Sequence, residues 1–227
     1  MYKGIDVSSI QGNVDYKNVK ESGISFVIAK CACGNEKPDH TYELNRKGSK
    51  DNGLLFAAYH FVFPLPSDSS HPGRSPQEQA QAHFALADGE LAACDIEWPY
   101  PQDWHKWGCS ATQINDWVLS YLKEYERLSG KKMLVYTDPD FANNVKFTDD
   151  FAEYPLWLAN YNKNIIVPSP WKDWVMWQTT GGGGVLSNGQ KVDTNVAKDL
   201  SFWDIAVTPV PTVDPLADTI DNDYHSL

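Results

Sequence analysis

Short β-rich apolar runs alternate with stretches of helical periodicity along the chain, the pattern of parallel strands joined by crossovers. Strands are expected at Gly4 to Val7, Ser25 to Lys30, Leu54 to Phe63, Leu91 to Glu97, Lys132 to Tyr136, Leu156 to Asn160, Trp174 to Gln178 and Val192 to Val196. Two helices are strongly marked. Ser75-Pro76-Gln77-Glu78 places Ser at the N-cap, Pro at the first helical position and Glu at the third, with apolar Ala80, Phe84 and Ala87 following at helical spacing. Ser110-Ala111-Thr112-Gln113 is a second capping box, and Ile114, Trp117, Val118, Tyr121, Leu122, Tyr125 and Leu128 form one core-facing stripe that ends at Gly130. Weaker helical patterns span Asp15 to Glu21, Thr41 to Asn52 and Pro139 to Asn144. Asn160 to Trp174 is loop-like and Gly181 to Gly184 reads as a flexible turn, so some crossovers are expected to be short. Eight strands in about 200 residues predict a single-domain α/β fold, an irregular TIM-like (β/α) barrel with some short or missing helices and its site at the strand carboxyl ends. The barrel is expected over residues 1–207, and residues 208–227, with three Pro, four Asp and no Lys or Arg, read as an acidic tail or linker stub.

Composition narrows the partners. The 227 residues carry a formal net charge of -11, which argues against a partner bound through phosphate neutralisation, nucleic acid included; a neutral polymer fits better. Aromatic residues make up 13% of the chain, with nine Trp. Trp98, Trp104, Trp107 and Trp171 fall in loop-like sequence, where flat apolar faces can stack on sugar rings. No 18-residue apolar span exists, so no membrane insertion is expected, and the start Met1-Tyr2-Lys3-Gly4 shows no signal peptide. Cys31, Cys33, Cys94 and Cys109 lack the spacing of a disulfide framework or a zinc site and read as reduced, mostly buried thiols. A monomer without cofactor or metal is the expectation.

Carboxylates are the best candidates for chemistry. Phosphate-binding glycine loops, HExxH and GxSxG are all missing from the chain. Asp95-Ile96-Glu97 closes the apolar run Leu91-Ala92-Ala93-Cys94, and residues two apart on a strand point to one face. Two such acids cannot titrate independently: repulsion and partial burial raise one pKa and leave the other ionised, the division of labour that acid-assisted glycoside cleavage needs. An acidic pair at a strand end is also the chemistry of a solvated loop or a helix cap. Asp6 follows the first strand and Asp193 starts the last, and closure of the ring would bring both to one rim.

These residues carry a family resemblance. Gly4-Ile5-Asp6-Val7-Ser8-Ser9, Gln11-Gly12, Val14-Asp15-Tyr16, Phe26-Val27-Ile28-Ala29-Lys30, Ala58-Tyr59-His60-Phe61, Asp95-Ile96-Glu97, Leu134-Val135-Tyr136, Leu156-Trp157-Leu158-Ala159-Asn160-Tyr161 and Trp177-Gln178 together resemble the family 25 glycoside hydrolases, the Chalaropsis-type lysozymes or N-acetylmuramidases. The resemblance implies a flattened β/α barrel that cleaves the β-1,4 bond between N-acetylmuramic acid and N-acetylglucosamine in bacterial peptidoglycan. It implies Glu97 as general acid with Asp95 as partner, Asp6 and Asp193 completing an acidic cleft, Tyr59 and Tyr136 at the reacting sugar, and Trp157, Tyr161 and Gln178 along the groove. Asp95 as base, nucleophile or orienter of the substrate N-acetyl group stays open at this level. With no signal peptide, the implied route to the wall is that of a phage lysin or virion-associated lysozyme released by a holin or carried on a tail.

One stretch departs from the family pattern. Where many relatives have Lys-Ala-Thr-Glu-Gly, this chain has Lys30-Cys31-Ala32-Cys33-Gly34, and the segment Pro64 to Arg74 looks inserted. Two alternatives compete with the muramidase. A chitinase-like DxxDxDxE would need Asp at 90 and 93, where Glu90 and Ala93 stand. A non-catalytic wall-binding module on the same barrel would have no need of the intact Asp95 and Glu97.

Overall fold

The computed structural model describes residues 1–34, 38–64, 75–98, 109–162 and 164–205. Trp104, Trp107, the tail from 208 onward and nearly all of the inserted segment therefore lie outside the described residues. Eight strands form a closed barrel in chain order: β1 (Tyr2–Val7), β2 (Phe26–Cys33), β3 (Leu55–Phe61), β4 (Leu91–Asp95), β5 (Leu134–Thr137), β6 (Leu156–Ala159), β7 (Met176–Val185) and β8 (Lys191–Ala197). Helices α1 (Tyr16–Glu21), α2 (Tyr42–Asp51), α3 (Pro76–Ala87), α4 (Ala111–Ser129), α5 (Pro139–Val145) and α6 (Ser201–Ile205) surround it unevenly. Among the described residues no helix is long and apolar enough to cross a membrane.

The expected sheet of parallel strands needs one correction. Strands β1 to β7 pair in parallel from neighbour to neighbour, but β8 runs antiparallel to both β7 and β1. The run Gly181 to Gly184, read as a turn, belongs to β7 and continues the β7–β8 ribbon. Gly184 is required there for close approach: a Cβ would lie 2.2 Å from Thr194 Cγ2 and 2.8 Å from the Val192 carbonyl oxygen. Among the described residues no helix lies between β6 and β7 or between β7 and β8, the compressed half of an otherwise regular ring.

Period-two alternation sorts each strand into an inner and an outer face. Phe26, Ile28, Ala57, Leu91, Ala93, Leu134, Trp157, Met176 and Ala197 fill the barrel interior, closed at its base by Phe202 and Trp203 of α6. Gly4 makes room in that layer, since a Cβ would lie 2.0 Å from the Phe26 ring. Outward residues such as Val135, Leu156 and Leu158 pack with the α4 stripe of Ile114, Val118, Tyr121, Leu122 and Tyr125.

Both capping boxes form, with Ser75 accepting from Glu78 N and Ser110 from Gln113 N. The apolar stripe expected on α3 is displaced. Phe84 is 37% exposed, while Gln79 and His83 are fully buried beside Ala80 and Ala87. Satisfied hydrogen bonds explain the inversion: Gln79 pairs with the backbone N and O of Phe63, and His83 reaches the Tyr121 hydroxyl at 2.6 Å. Trp171, read as a loop residue available for stacking, is core; its indole donates to the Tyr154 carbonyl at 2.9 Å and packs on Phe147 and Phe151.

Candidate active site

The inner face changes character towards the strand carboxyl ends. One step beyond the apolar layer, the same alternation presents Asp6, Lys30, Tyr59, Asp95, Tyr136 and Gln178, and these open into a cavity of about 270 Å³ also lined by Glu97, Trp157, Tyr161 and Asp193. All four expected carboxylates therefore share one cavity. Strand β4 ends at Asp95, so Glu97 stands two residues beyond it rather than on it. Asp95 is buried at 6% exposure, and Glu97 is half-buried. Reversal of β8 is what brings Asp193 to the mouth: the start of a parallel strand would lie at the base, whereas antiparallel pairing sets Asp193 opposite Asp6 in register.

Asp6 is the best-supported of the four. Its Oδ2 accepts from Gln178 Nε2 at 2.8 Å and from Asn195 Nδ2 at 2.7 Å. Gln178 is fixed in turn, its Oε1 accepting from the hydroxyls of Tyr136 at 2.8 Å and Tyr161 at 2.5 Å, and the Trp157 indole donates to Asn195 Oδ1 at 2.8 Å. This network orients every amide in the cavity floor. Asp193 accepts from the Gly182 backbone N. By contrast, Asp95 Oδ1 is buried with no hydrogen-bond partner among the described residues.

Crowding of acids in a low-dielectric mouth raises their pKa values. Burial, then repulsion from Asp138, Asp6 and Asp193, pushes Glu97 up to about 7, with Lys30 opposing. Burial and then Asp193 raise Asp6 to about 7 against its two amide donors. Burial, then the Glu97 charge, raises Asp95 as well, again with Lys30 opposing. Asp193 is raised mainly by burial.

Trp98, like Trp171, does not line the cavity; its indole donates to Asp140 Oδ2 at 2.8 Å and meets the Phe141 ring edge-on. Four contributors were not singled out in the sequence as site residues. Lys30 and Asn195 carried a signal, the first as the strand-end residue of a matched motif and the second by standing two residues after Asp193 on the same face. Gln11 belongs to the capping box Ser8 to Gln11 that shapes one rim. Asp138 is the N-cap of α5, a role that hides its charge effect on Glu97.

A closed barrel whose carboxyl-end mouth gathers four acids, two of them neighbours with raised pKa values, has the arrangement that barrel glycoside hydrolases use. The model of Glycosyl hydrolases family 25 matches residues 5–187, and the chain belongs to that family. Lysozyme M1 of Streptomyces globisporus is 27% identical over 205 residues, covering 85% of this chain and 66% of that protein. The N,O-diacetylmuramidase of Chalaropsis sp is 24% identical over 209 residues, covering 82% of this chain and 94% of its own length. Among solved structures, the bacterial lysozyme from Streptomyces coelicolor matches with a TM-score of 0.79 at 26% identity, over 90% of this chain and 96% of that one. The chain is thus similar to cell-wall lytic enzymes along most of its length, and spans about two thirds of Lysozyme M1.

Proposed function

We propose that the protein hydrolyses bacterial peptidoglycan as a lysozyme, cleaving the β-1,4 bond between N-acetylmuramic acid and N-acetylglucosamine with Glu97 as general acid. The observation that carries the reading is a Glu97 carboxyl pushed up to about 7 at the cavity mouth, two residues from the buried Asp95. Such a group still holds its proton near neutral pH and gives it to the glycosidic oxygen as the bond to the anomeric carbon breaks. Positive charge develops at that carbon, and a carboxylate of the acidic cleft stabilises it. Asp95 completes the reaction as base, as nucleophile or by orienting the substrate N-acetyl group, and each of these roles uses its ionised form. Tyr59, Tyr136, Trp157, Tyr161 and Gln178 shape the pocket for the reacting sugar. The similarity to Lysozyme M1 and to the Chalaropsis muramidase supports this choice of substrate and bond.

Mass analysis of muropeptides released from defined peptidoglycan tests the bond. A muramic acid reducing end is expected; a glucosamine reducing end sinks the muramidase assignment. Glu97→Gln is expected to lose roughly 10²- to 10⁴-fold in turnover while keeping its fold and wall binding, and unchanged turnover removes Glu97 from the role. Delivery as a phage lysin or virion-borne lysozyme is part of the same proposal. Neighbouring holin or tail genes are its expected genetic setting, and a housekeeping setting counts against it.

A further inference from the structure

Glu97 stands against the start of a helix. Strand β4 ends at Asp95, which pairs in register with Tyr136 of β5, and the Ile96 N–H donates to the Tyr136 carbonyl at 3.0 Å. Glu97 and Asp138 each lie two residues beyond that pair, and Asp138 keeps the extended backbone of the strand before it. Residues two apart along an extended chain share a face. Trp98 fixes the same approach from its own side: its indole donates to Asp140 Oδ2 at 2.8 Å and its ring meets Phe141 edge-on, both in the first turn of α5. Glu97 is thereby set beside Asp138, the N-cap of that turn.

Asp138 stands outside the lining of the cavity. Its Oδ1 accepts from the backbone N–H groups of Asp140 at 2.8 Å and Phe141 at 3.0 Å. These bonds favour the ionised form of Asp138 against its burial, and they occupy donors that an open first turn would offer to a neighbouring carboxylate. An anion fixed beside Glu97 opposes a second negative charge there. Asp138 acts on Glu97 more strongly than Asp6 on β1, Lys30 on β2 or Asp193 on β8. Among the described residues, the other titratable groups facing Glu97 are Asp95 on β4, Tyr59 on β3, Tyr136 on β5 and Tyr161 after β6, and Asp140 of α5 faces Asp138.

We propose that Asp138, held as an anion by the first turn of α5, sets the proton affinity of Glu97 and so keeps the general acid protonated. It is a positioning residue, acting through its field on Glu97 rather than by touching the sugar. Capping and charge are separable here. Asparagine is as good an N-cap as aspartate, so Asp138→Asn removes the charge and keeps the turn.

The inference rests on Glu97 being the acid, and the two fail differently. Profiles of kcat/KM against pH on soluble, uncrosslinked peptidoglycan are compared for the parent and Asp138→Asn. Glu97 works in its protonated form, so turnover falls as pH rises through its pKa. Without the Asp138 charge Glu97 ionises earlier, and the alkaline limb moves down by about half a pH unit, roughly a threefold loss at a fixed pH on that limb. The loss deepens as pH rises. An Asp138→Asn profile that superimposes on the parent, or falls equally at every pH with its limb unmoved, overturns the proposal. Where Asp138→Asn fails to fold, Asp138→Ser, which also caps without charge, is read in the same way. A carbon-13 carboxyl titration reads Glu97 without catalysis: Asp138 must ionise before Glu97 in the parent, and the Glu97 midpoint must fall in Asp138→Asn. The reverse order, or an unmoved midpoint, overturns the proposal. Normal turnover by Glu97→Gln would instead remove the acid assignment, and a fallen Glu97 midpoint would then be an electrostatic effect without a catalytic one.

Discussion

Asp6 sits at the meeting point of stability and activity. Its carboxyl is raised from 3.8 to about 7 in the folded protein, first by burial and then by Asp193. Between those two values the unfolded chain has released this proton and the folded one still holds it, so Asp6 makes the fold less stable as pH rises from about 4 to about 7. Asp6→Asn removes the group that resists ionisation. The variant is expected to gain on the order of 1–2 kcal/mol at pH 7.5 relative to its effect at pH 4, while hydrolysis falls. Urea denaturation at the two pH values checks this, and an equal effect at both would mean that Asp6 does not titrate in the fold. At this scale the acids were legible in the sequence because charge announces itself: Asp95 and Glu97 by spacing, Asp6 and Asp193 by strand ends. The amide of Asn195 was not, since its contribution is a hydrogen bond to Asp6 that exists only once β8 lies against β1. The bond from the Trp98 indole to Asp140 is equally absent from any local pattern, since its partner lies on α5.

Elements with local signals were read correctly, and those defined by tertiary approach were not. The boxes at Ser75 and Ser110 are complete in sequence and complete in structure. Ser110→Ala is expected to cost about 1 kcal/mol by exposing an unsatisfied N–H in the first turn of α4, seen as a lower denaturation midpoint with an unchanged slope. The glycine run 181 to 184 carries a turn signal, yet it lies within β7, and at Gly184 Thr194 and the Val192 carbonyl stand too close for a side chain. That origin makes two neighbouring glycines unequal. Gly184→Ala is expected to destabilise by about 1–3 kcal/mol through overpacking. Gly183→Ala, whose Cβ would be 3.4 Å from Thr180 Cβ, an ordinary contact, is expected to stay within about 0.5 kcal/mol of the parent. Thermal melts of both variants decide it, and equal losses would argue against close packing as the reason for glycine at 184.

For the molecule as a whole, the number of strands and their closure into a ring followed from the apolar runs, because each run is long enough to be a strand and eight suffice for a barrel. The direction of the last strand did not follow. A parallel crossover and a hairpin leave the same apolar pattern in β8, and only the short link from β7 argues for the hairpin. The barrel's division into an apolar base and an acidic mouth follows from the same alternation, with polar residues one step beyond apolar ones on β1, β2, β4 and β7.

The reversed strand has an effect on traffic around the enzyme. Tyr2 and Ala197 are partners across β1 and β8 at the base of the barrel, on the side away from Asp6 and Asp193. Strand β1 therefore begins where strand β8 finishes, and cargo tethered at either place hangs behind the enzyme while its acids face forward.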